Sequence, residues 1–284
     1  MRVMIDYHVH PNYSLDAEGS LEEYCEVATR KGLREIAFTT HLDSDPATDD
    51  CFVIVEGRRI DVQSGYWLEH YEASVAEVAD EYRERGIEVR LGVEVDIYPG
   101  VAENLPEAFH RTEFDIIIGS VHLIDHRAIS AEEGANAVFS KYAVEELGHN
   151  YFSIMTDVIE SSFINVLGHI DLYRRYGETH YGEAIHSLWK PHMKLLTEKM
   201  KRFNVAFEIN TSPWRKGQSE TMPSRPILEA LIERGITQLT LGSDAHRPED
   251  VGAGVDRCLK LVQEMGFPSP VGFKKGVPYT ISVL

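Results

Sequence analysis

The chain has 284 residues, 43% of them hydrophobic and 26% charged, which excludes a disordered or fibrous protein and allows a large core without covalent staples. With 46 acidic against 28 basic residues the net charge is −18, which argues against sequence-independent nucleic-acid binding and anionic membrane surfaces, since both require a basic face. Three scattered cysteines, Cys25, Cys51 and Cys258, form no CxxC pair, so neither a disulfide framework nor a thiolate zinc site is expected.

In chain order, the stretch Met1 to Asp6 reaches charge too early for a secretory signal, and Val3–Tyr7 reads as a first strand. Leu21–Lys31 reads as a helix, opened by the capping box Ser20/Glu23 and closed at Gly32. Ile36–Thr40 is the second strand. The polar stretch Asp43–Gly65 lacks helical periodicity and reads as a long loop of the kind that forms lids. Helix Tyr71–Arg85 stops at Gly86 and leads into strands Val89–Val95 and Phe114–Ser120. Helices Val138–Leu147 and Tyr151–Ser162 precede strand Ile164–Gly168, and helix His186–Arg202 precedes strand Val205–Ile209. Helix Pro226–Arg234, strand Gln238–Gly242 and helix Val255–Met265, entered through Gly252-Ala253-Gly254, complete the pattern.

Near-continuous apolar runs such as Ile116-Ile117-Ile118 suit strands buried on both faces of a parallel sheet. Seven of them alternating with helices predict an α/β barrel in a single domain spanning residues 1–284. A doubly wound open sheet is the competing arrangement. No Walker A loop, GxGxxG or GxSxG occurs, and no run has the roughly 18 apolar residues of a membrane span. The expectation is a cytoplasmic protein whose oligomeric state is left open.

Metal-type residues gather at the predicted strand ends. The first strand ends Asp6-Tyr7-His8-Val9-His10, with Asp16 beyond it; the second ends at His41, and the third carries Glu94 and Asp96. Later strands end at His122, His169 and Asp244-Ala245-His246. Six of the 13 histidines therefore fall on the rim where barrels keep their chemistry, and residues i and i+2 of a strand share a face. His8, His10, Asp16, His41, Glu94, His122, His169, Asp244 and His246 are more ligands than one ion uses, which implies two or three ions. Mixed imidazole and carboxylate donors favour zinc, iron or manganese, and Glu94 is the natural bridge.

On these residues the chain resembles the PHP (polymerase and histidinol phosphatase) superfamily. The matching segments are DYHVH (Asp6–His10), THLD (Thr40–Asp43), GVEVD (Gly92–Asp96), GSVH (Gly119–His122), GHID (Gly168–Asp171), EINTS (Glu208–Ser212) and SDAH (Ser243–His246). Within that superfamily, GHIDLYRRYG and the RKG after EINTS are similar to the histidinol-phosphate phosphatases of histidine biosynthesis. The resemblance implies a distorted (β/α)7 barrel with three metals. His8, His10, Glu94 and Asp244 would hold the first, Glu94, His122 and His169 the second, and Asp16, His41 and His246 the third. Many relatives have histidine at the place of Asp16.

The implied reaction is hydrolysis of L-histidinol phosphate, a phosphate monoester, by a hydroxide held between metals at Glu94, with Asp244 or His246 relaying a proton. Arg174, Arg175, Arg215 and Lys216 are the candidate clamps for the phosphate. Asp43, with Asp45 and Asp125, is the candidate partner for the substrate's ammonium and imidazole. Glu208 and Asn210 are expected to orient ligands. His126 is close enough to His122 to reach a ligand, and the other six histidines read as surface residues. The alternatives are another phosphoesterase of the superfamily, acting on nucleotides, sugar phosphates or phosphotyrosine, or a metal-binding regulator that does not catalyse.

Overall fold

Apolar runs buried on both sides need neighbours on both edges, and the chain supplies them by winding seven parallel strands in sequence order. They are β1 (Met4–Val9), β2 (Leu33–Leu42), β3 (Glu88–Asp96), β4 (Ile116–Ser120), β5 (Val166–Leu167), β6 (Ala206–Asn210) and β7 (Leu239–Gly242). The computed structural model describes residues 4–282, so Val3 and the chain's first two residues lie outside the described part. All adjacent ladders are parallel, and Ile116, Ile118, Val166, Phe207 and Leu241 are buried in the core.

The seam between first and last strands closes beyond β7. Val9 bridges Ala245, the His10 amide donates to Ala245 O (2.8 Å), and the Asp244 amide donates to His8 O (2.8 Å). Below this, the Asp6 carboxylate accepts from the Ser243 amide (2.8 Å), the Ser243 hydroxyl (2.5 Å) and the Gly252 amide (2.7 Å). The sheet is thus a nearly closed, distorted seven-stranded barrel, sealed at the end where the rim histidines gather. The β1–β2 register is irregular between Asp6 and Val9, a break of the kind that re-aims side chains at barrel rims.

Helix Leu21–Lys31 has the expected bounds. The Ser20 hydroxyl accepts from the Glu23 amide (3.4 Å), the Glu23 carboxylate accepts from the Ser20 amide (2.8 Å), and Gly32 ends it at φ 72°. Other helices differ from expectation for local reasons. The stretch expected as one helix, His186–Arg202, is a 3-10 turn over Gly182–Ser187 followed by a helix over Met193–Phe203, because Pro191 disfavours helical geometry just before it. Instead of Val138–Leu147 there are two helices, Glu132–Phe139 and Val144–Ser161. Helix Gly65–Arg83 begins six residues before the expected Tyr71, its first turn drawn in by burial of Trp67 and Leu68.

The stretch Asp43–Gly65 is not a structureless loop. Phe52–Val55 and Arg58–Asp61 pair as an antiparallel hairpin whose turn residues, Glu56 and Gly57, both have positive φ (49° and 74°). Two such residues match the right-handed twist of the flanking strands. A second hairpin, Val271–Lys274 with Val277–Thr280, packs against the barrel floor. There Tyr7 donates to Glu35 (2.5 Å), Tyr279 also donates to Glu35, and Arg90 donates to Tyr279 (2.9 Å).

Candidate active site

Glu94 lies at the centre of the rim, 1% exposed, and its two oxygens face different sets of imidazoles. Oε1 is 3.0 Å from His169 Nε2 and 3.7 Å from His122 Nε2; Oε2 is 3.2 Å from His8 Nε2, 3.5 Å from His10 Nε2 and 3.1 Å from His41 Nδ1. The Ser120 hydroxyl donates to Oε1 (2.5 Å) and fixes the carboxylate plane. The cluster extends outward through His10, whose ring stacks between His41 and His246 at centroid distances of 4.1 and 4.3 Å. Asp244 Oδ1 is 3.5 Å from both His10 Nε2 and His246 Nδ1. Exposed Asp16 closes the outer edge, 3.3 Å from His246 Nε2 and 3.8 Å from His41 Nε2.

This donor set fits metal ions. Buried polar atoms normally find partners, yet His8 Nε2, both ring nitrogens of His10 and His169 Nδ1 are buried without a hydrogen bond. His8–His10–Glu94, His41–Glu94–His122 and His10–His41–His246 each bring their ligand atoms within 4.8 Å of one another. The geometry therefore provides more than one cluster, with Glu94 common to two of them.

Surrounding groups tune the ligands. Glu208, fully buried, accepts from His8 Nδ1 (2.7 Å) and from the His169 amide (3.1 Å), which leaves His8 Nε2 facing Glu94. Asn210 donates to Glu208 (3.3 Å), so both residues lie behind the ligands, on the side away from the cavity. Burial opposes a charged His8, but Glu208 and Glu94 outweigh it and hold its pKa well above the usual imidazole range. Burial also opposes a charged His41, and Glu94 raises its pKa to about 10. His122 is pushed down to about 3, chiefly by burial. Burial raises an ionised Glu94 toward neutrality, yet its histidine neighbours keep it well below the usual carboxylate range.

The cluster floors a cavity of about 740 Å³ lined by charged groups of both signs. Arg175, Arg215, Lys216 and Arg247 line it together with Asp16, Asp43, Asp50, Asp96, Asp244 and Asp250, and Phe52 is contributed by the first hairpin. Arg215 donates to the carbonyls of Ser243 and Asp244 (3.0 Å for the latter) and ion-pairs with Asp250 (3.4 Å). Desolvation by the cavity wall, and then Arg175, lower the pKa of the Lys216 ammonium. Burial raises Asp43 to about 6, against the pull of His41.

Three expected substrate contacts lie elsewhere. Arg174 points away from the cavity and pairs with Asp171 (2.7 Å) and Glu220 (3.1 Å). Asp125 is exposed and bound to Lys141 and Tyr142, and buried Asp45 receives His126 Nδ1 (2.5 Å). His126 is thereby held outside the ligand cluster. His70, read as a surface residue, is half-buried against the Tyr13 hydroxyl (2.7 Å). Ser120 and Phe52 were not among the expected site residues, and Asp96, noted at its strand end, had no role assigned. Ser120 had a signal, since it stands two residues before His122 at the end of a strand. Phe52 had none without the hairpin.

The model for the PHP domain matches residues 6–212, most of the chain, and ends before Asp244 and His246. The chain is 27% identical to a probable histidinol-phosphatase of Deinococcus radiodurans over 271 residues, covering 94% of this chain and 95% of that protein. It is 26% identical to a histidinol-phosphatase of Lactococcus lactis over 270 residues, covering 93% and 91%. Among solved structures it matches a histidinol phosphate phosphatase from Lactococcus lactis, complexed with zinc, L-histidinol and phosphate. That match has a TM-score of 0.79 at 22% identity over 98% of this chain and 99% of that one. With four strands delivering imidazoles to one carboxylate and a domain model spanning six of the seven strands, the chain belongs to the PHP domain family.

Proposed function

We propose that the chain is a metal-dependent phosphomonoesterase whose substrate is L-histidinol phosphate. The observation that carries the reaction class is Glu94, buried among five imidazoles at the floor of a cavity that also bears Arg175 and Lys216. His8, His10, Glu94 and Asp244 would hold one ion, Glu94, His122 and His169 a second, and Asp16, His41 and His246 a third. His10 also lies against the last group. Bound there, such ions lower the pKa of water toward about 7 and offset phosphoryl charge.

The chain's own groups do the rest. Ser120 and Glu208 lock the orientation of Glu94 and His8, and Glu208 also holds the His169 backbone, so these groups are set before substrate arrives. Lys216 and Arg175 hold the phosphate oxygens, assisted by the free N–H groups of Arg215. Asp244 and His246, at the cavity edge of the cluster, are placed to hand a proton to the departing alkoxide. Asp43 takes the positive end of the substrate, with Phe52 beside its ring. The names of the relatives support this substrate over other phosphomonoesters.

The test is phosphate release by metal-loaded protein from histidinol phosphate, nucleoside monophosphates, phosphotyrosine and a chromogenic phosphomonoester. The expected result is a kcat/KM for histidinol phosphate at least about a hundredfold above the others. Equal rates on all four would overturn the substrate. Metal-rich protein with no hydrolysis would favour a regulator. The acidic composition and the rim chemistry also support a cytoplasmic enzyme of small molecules, and among the described residues no helix is long and apolar enough to cross a membrane.

A further inference from the structure

The segment GHIDLYRR carries two charged residues, Asp171 and Arg174, that neither bind metal nor line the cavity. Asp171 is fully buried and Arg174 nearly so. They face a second loop. Asp171 Oδ2 is 2.7 Å from Arg174 Nε and accepts from the Ser224 amide (3.0 Å). Arg174 donates to Glu220 Oε2 (3.1 Å) and to the Thr221 carbonyl (2.9 Å). A guanidinium hydrogen-bonded through both terminal nitrogens and ion-paired at Nε is a cross-brace between the residues after β5 and the returning limb of the loop after β6.

That loop carries the cations of the cavity on its outgoing limb. The two limbs are joined by Trp214 Nε1 donating to Ser219 O (3.1 Å) and the Gln218 amide donating to Pro213 O (3.0 Å). Fixing residues 220–224 therefore fixes Arg215 and Lys216. Arg174 and Arg175 are adjacent in the first turn of helix Arg174–Tyr181, about 100° apart around its axis, so one grips the neighbouring loop while the other enters the cavity.

We propose that Arg174, with Asp171 and Glu220, is a positioning residue: the brace sets the spacing between Arg175 on one loop and Arg215 and Lys216 on the other, and so assembles the phosphate site across two loops. This rests on the phosphatase reading above. The brace explains why a pair of arginines stands in tandem where one suffices to touch phosphate. It also explains why a buried ion pair, expensive to desolvate, is kept beside an active site.

The experiment pairs two readouts on metal-loaded protein. Arg174→Lys keeps the charge but loses the fork, and Glu220→Gln removes one arm at a half-buried position where folding is not at stake. In hydrogen exchange, both variants are expected to speed amide exchange in residues 212–224 while β1 to β4 stay as in wild type. In kinetics, Arg174→Lys is expected to raise KM for a chromogenic phosphomonoester, and Ki for inorganic phosphate, about tenfold, with kcat within about twofold. Combined with Lys216→Met, its effect on KM is expected to fall well short of the product of the single effects, since both act through one contact. Unchanged exchange in 212–224 overturns the brace. Faster exchange with unchanged KM and Ki overturns its role in assembling the phosphate site, as does a fall in kcat alone. If wild-type protein neither hydrolyses phosphomonoesters nor binds phosphate, the phosphatase reading fails, and the exchange readout still judges the brace.

Discussion

Glu94 is the residue on which the most geometry converges, with one oxygen toward His122 and His169 and the other toward His8, His10 and His41. Glu94→Gln keeps the shape and removes the charge. It is expected to cut metal content measured by elemental analysis by at least one ion per chain and kcat by about a thousandfold. His41 sets a pH dependence. In the metal-free protein its pKa is raised to about 10, so at pH 7 it is protonated and must release its proton to bind metal. Metal affinity is therefore expected to rise with pH across the neutral range. Calorimetry in two buffers of different ionisation heat would show the released proton. The same raised value contributes stability to the metal-free fold below about pH 6.5, lost as pH climbs through about 10. The rim residues were legible because i and i+2 spacing and strand ends are sequence properties. Arg174 was not separable from Arg175, because the partners that turn it away, Glu220 and Thr221, lie some 45 residues on and are recruited only by folding.

Elements were legible where local chemistry decides them and obscure where distant contacts do. Leu21–Lys31 carries its capping box and terminal glycine in sequence, and its bounds agree with expectation. The hairpin within Asp43–Gly65 has a turn built on Glu56-Gly57, a weaker signal than Asn-Gly, among polar neighbours that hide its alternation. The hairpin is anchored by the Ile54 amide donating to Tyr13 O (2.8 Å), so it is tied to the same loop that carries Asp16. Phe52→Ala is accordingly expected to raise KM for histidinol phosphate about five- to tenfold, leaving kcat/KM for a small chromogenic phosphomonoester within about twofold. Equal losses on both substrates would show that the hairpin shapes the whole cavity rather than its substrate end. At β7, a Cβ on Gly242 would overlap Glu208 Oε1 and the His8 side chain. Gly242→Ala is thus expected to lower metal content as well as stability.

On the scale of the molecule, the barrel has a chemical end and a structural end. The floor network of Tyr7, Glu35, Arg90 and Tyr279 joins the C-terminal hairpin to β1, β2 and β3, far from the rim. Tyr279→Phe is expected to cost about 1–2 kcal/mol in urea unfolding with unchanged kcat and KM. We also propose that residues 1–284 fold as one domain, so that fluorescence and circular dichroism would report a single coincident transition; two separated transitions would refute this. The barrel class was legible from seven apolar runs alternating with helices. Which contacts close it was not, because they run from Val9 to Ala245 and from Asp6 to Gly252, and each half of those pairs looks ordinary alone.

That seam has a consequence for how the protein is made. His8 and His10 leave the ribosome early, whereas Asp244, His246 and the Ala245 backbone that grips β1 emerge only after some 230 further residues have been translated. Until they do, the chain lacks both the contacts that close the cylinder and part of its ligand set. Completion of the ligand set therefore waits on residues 244–246, and a polypeptide stalled at Gly242 would lack the stitch that binds its first strand to its last.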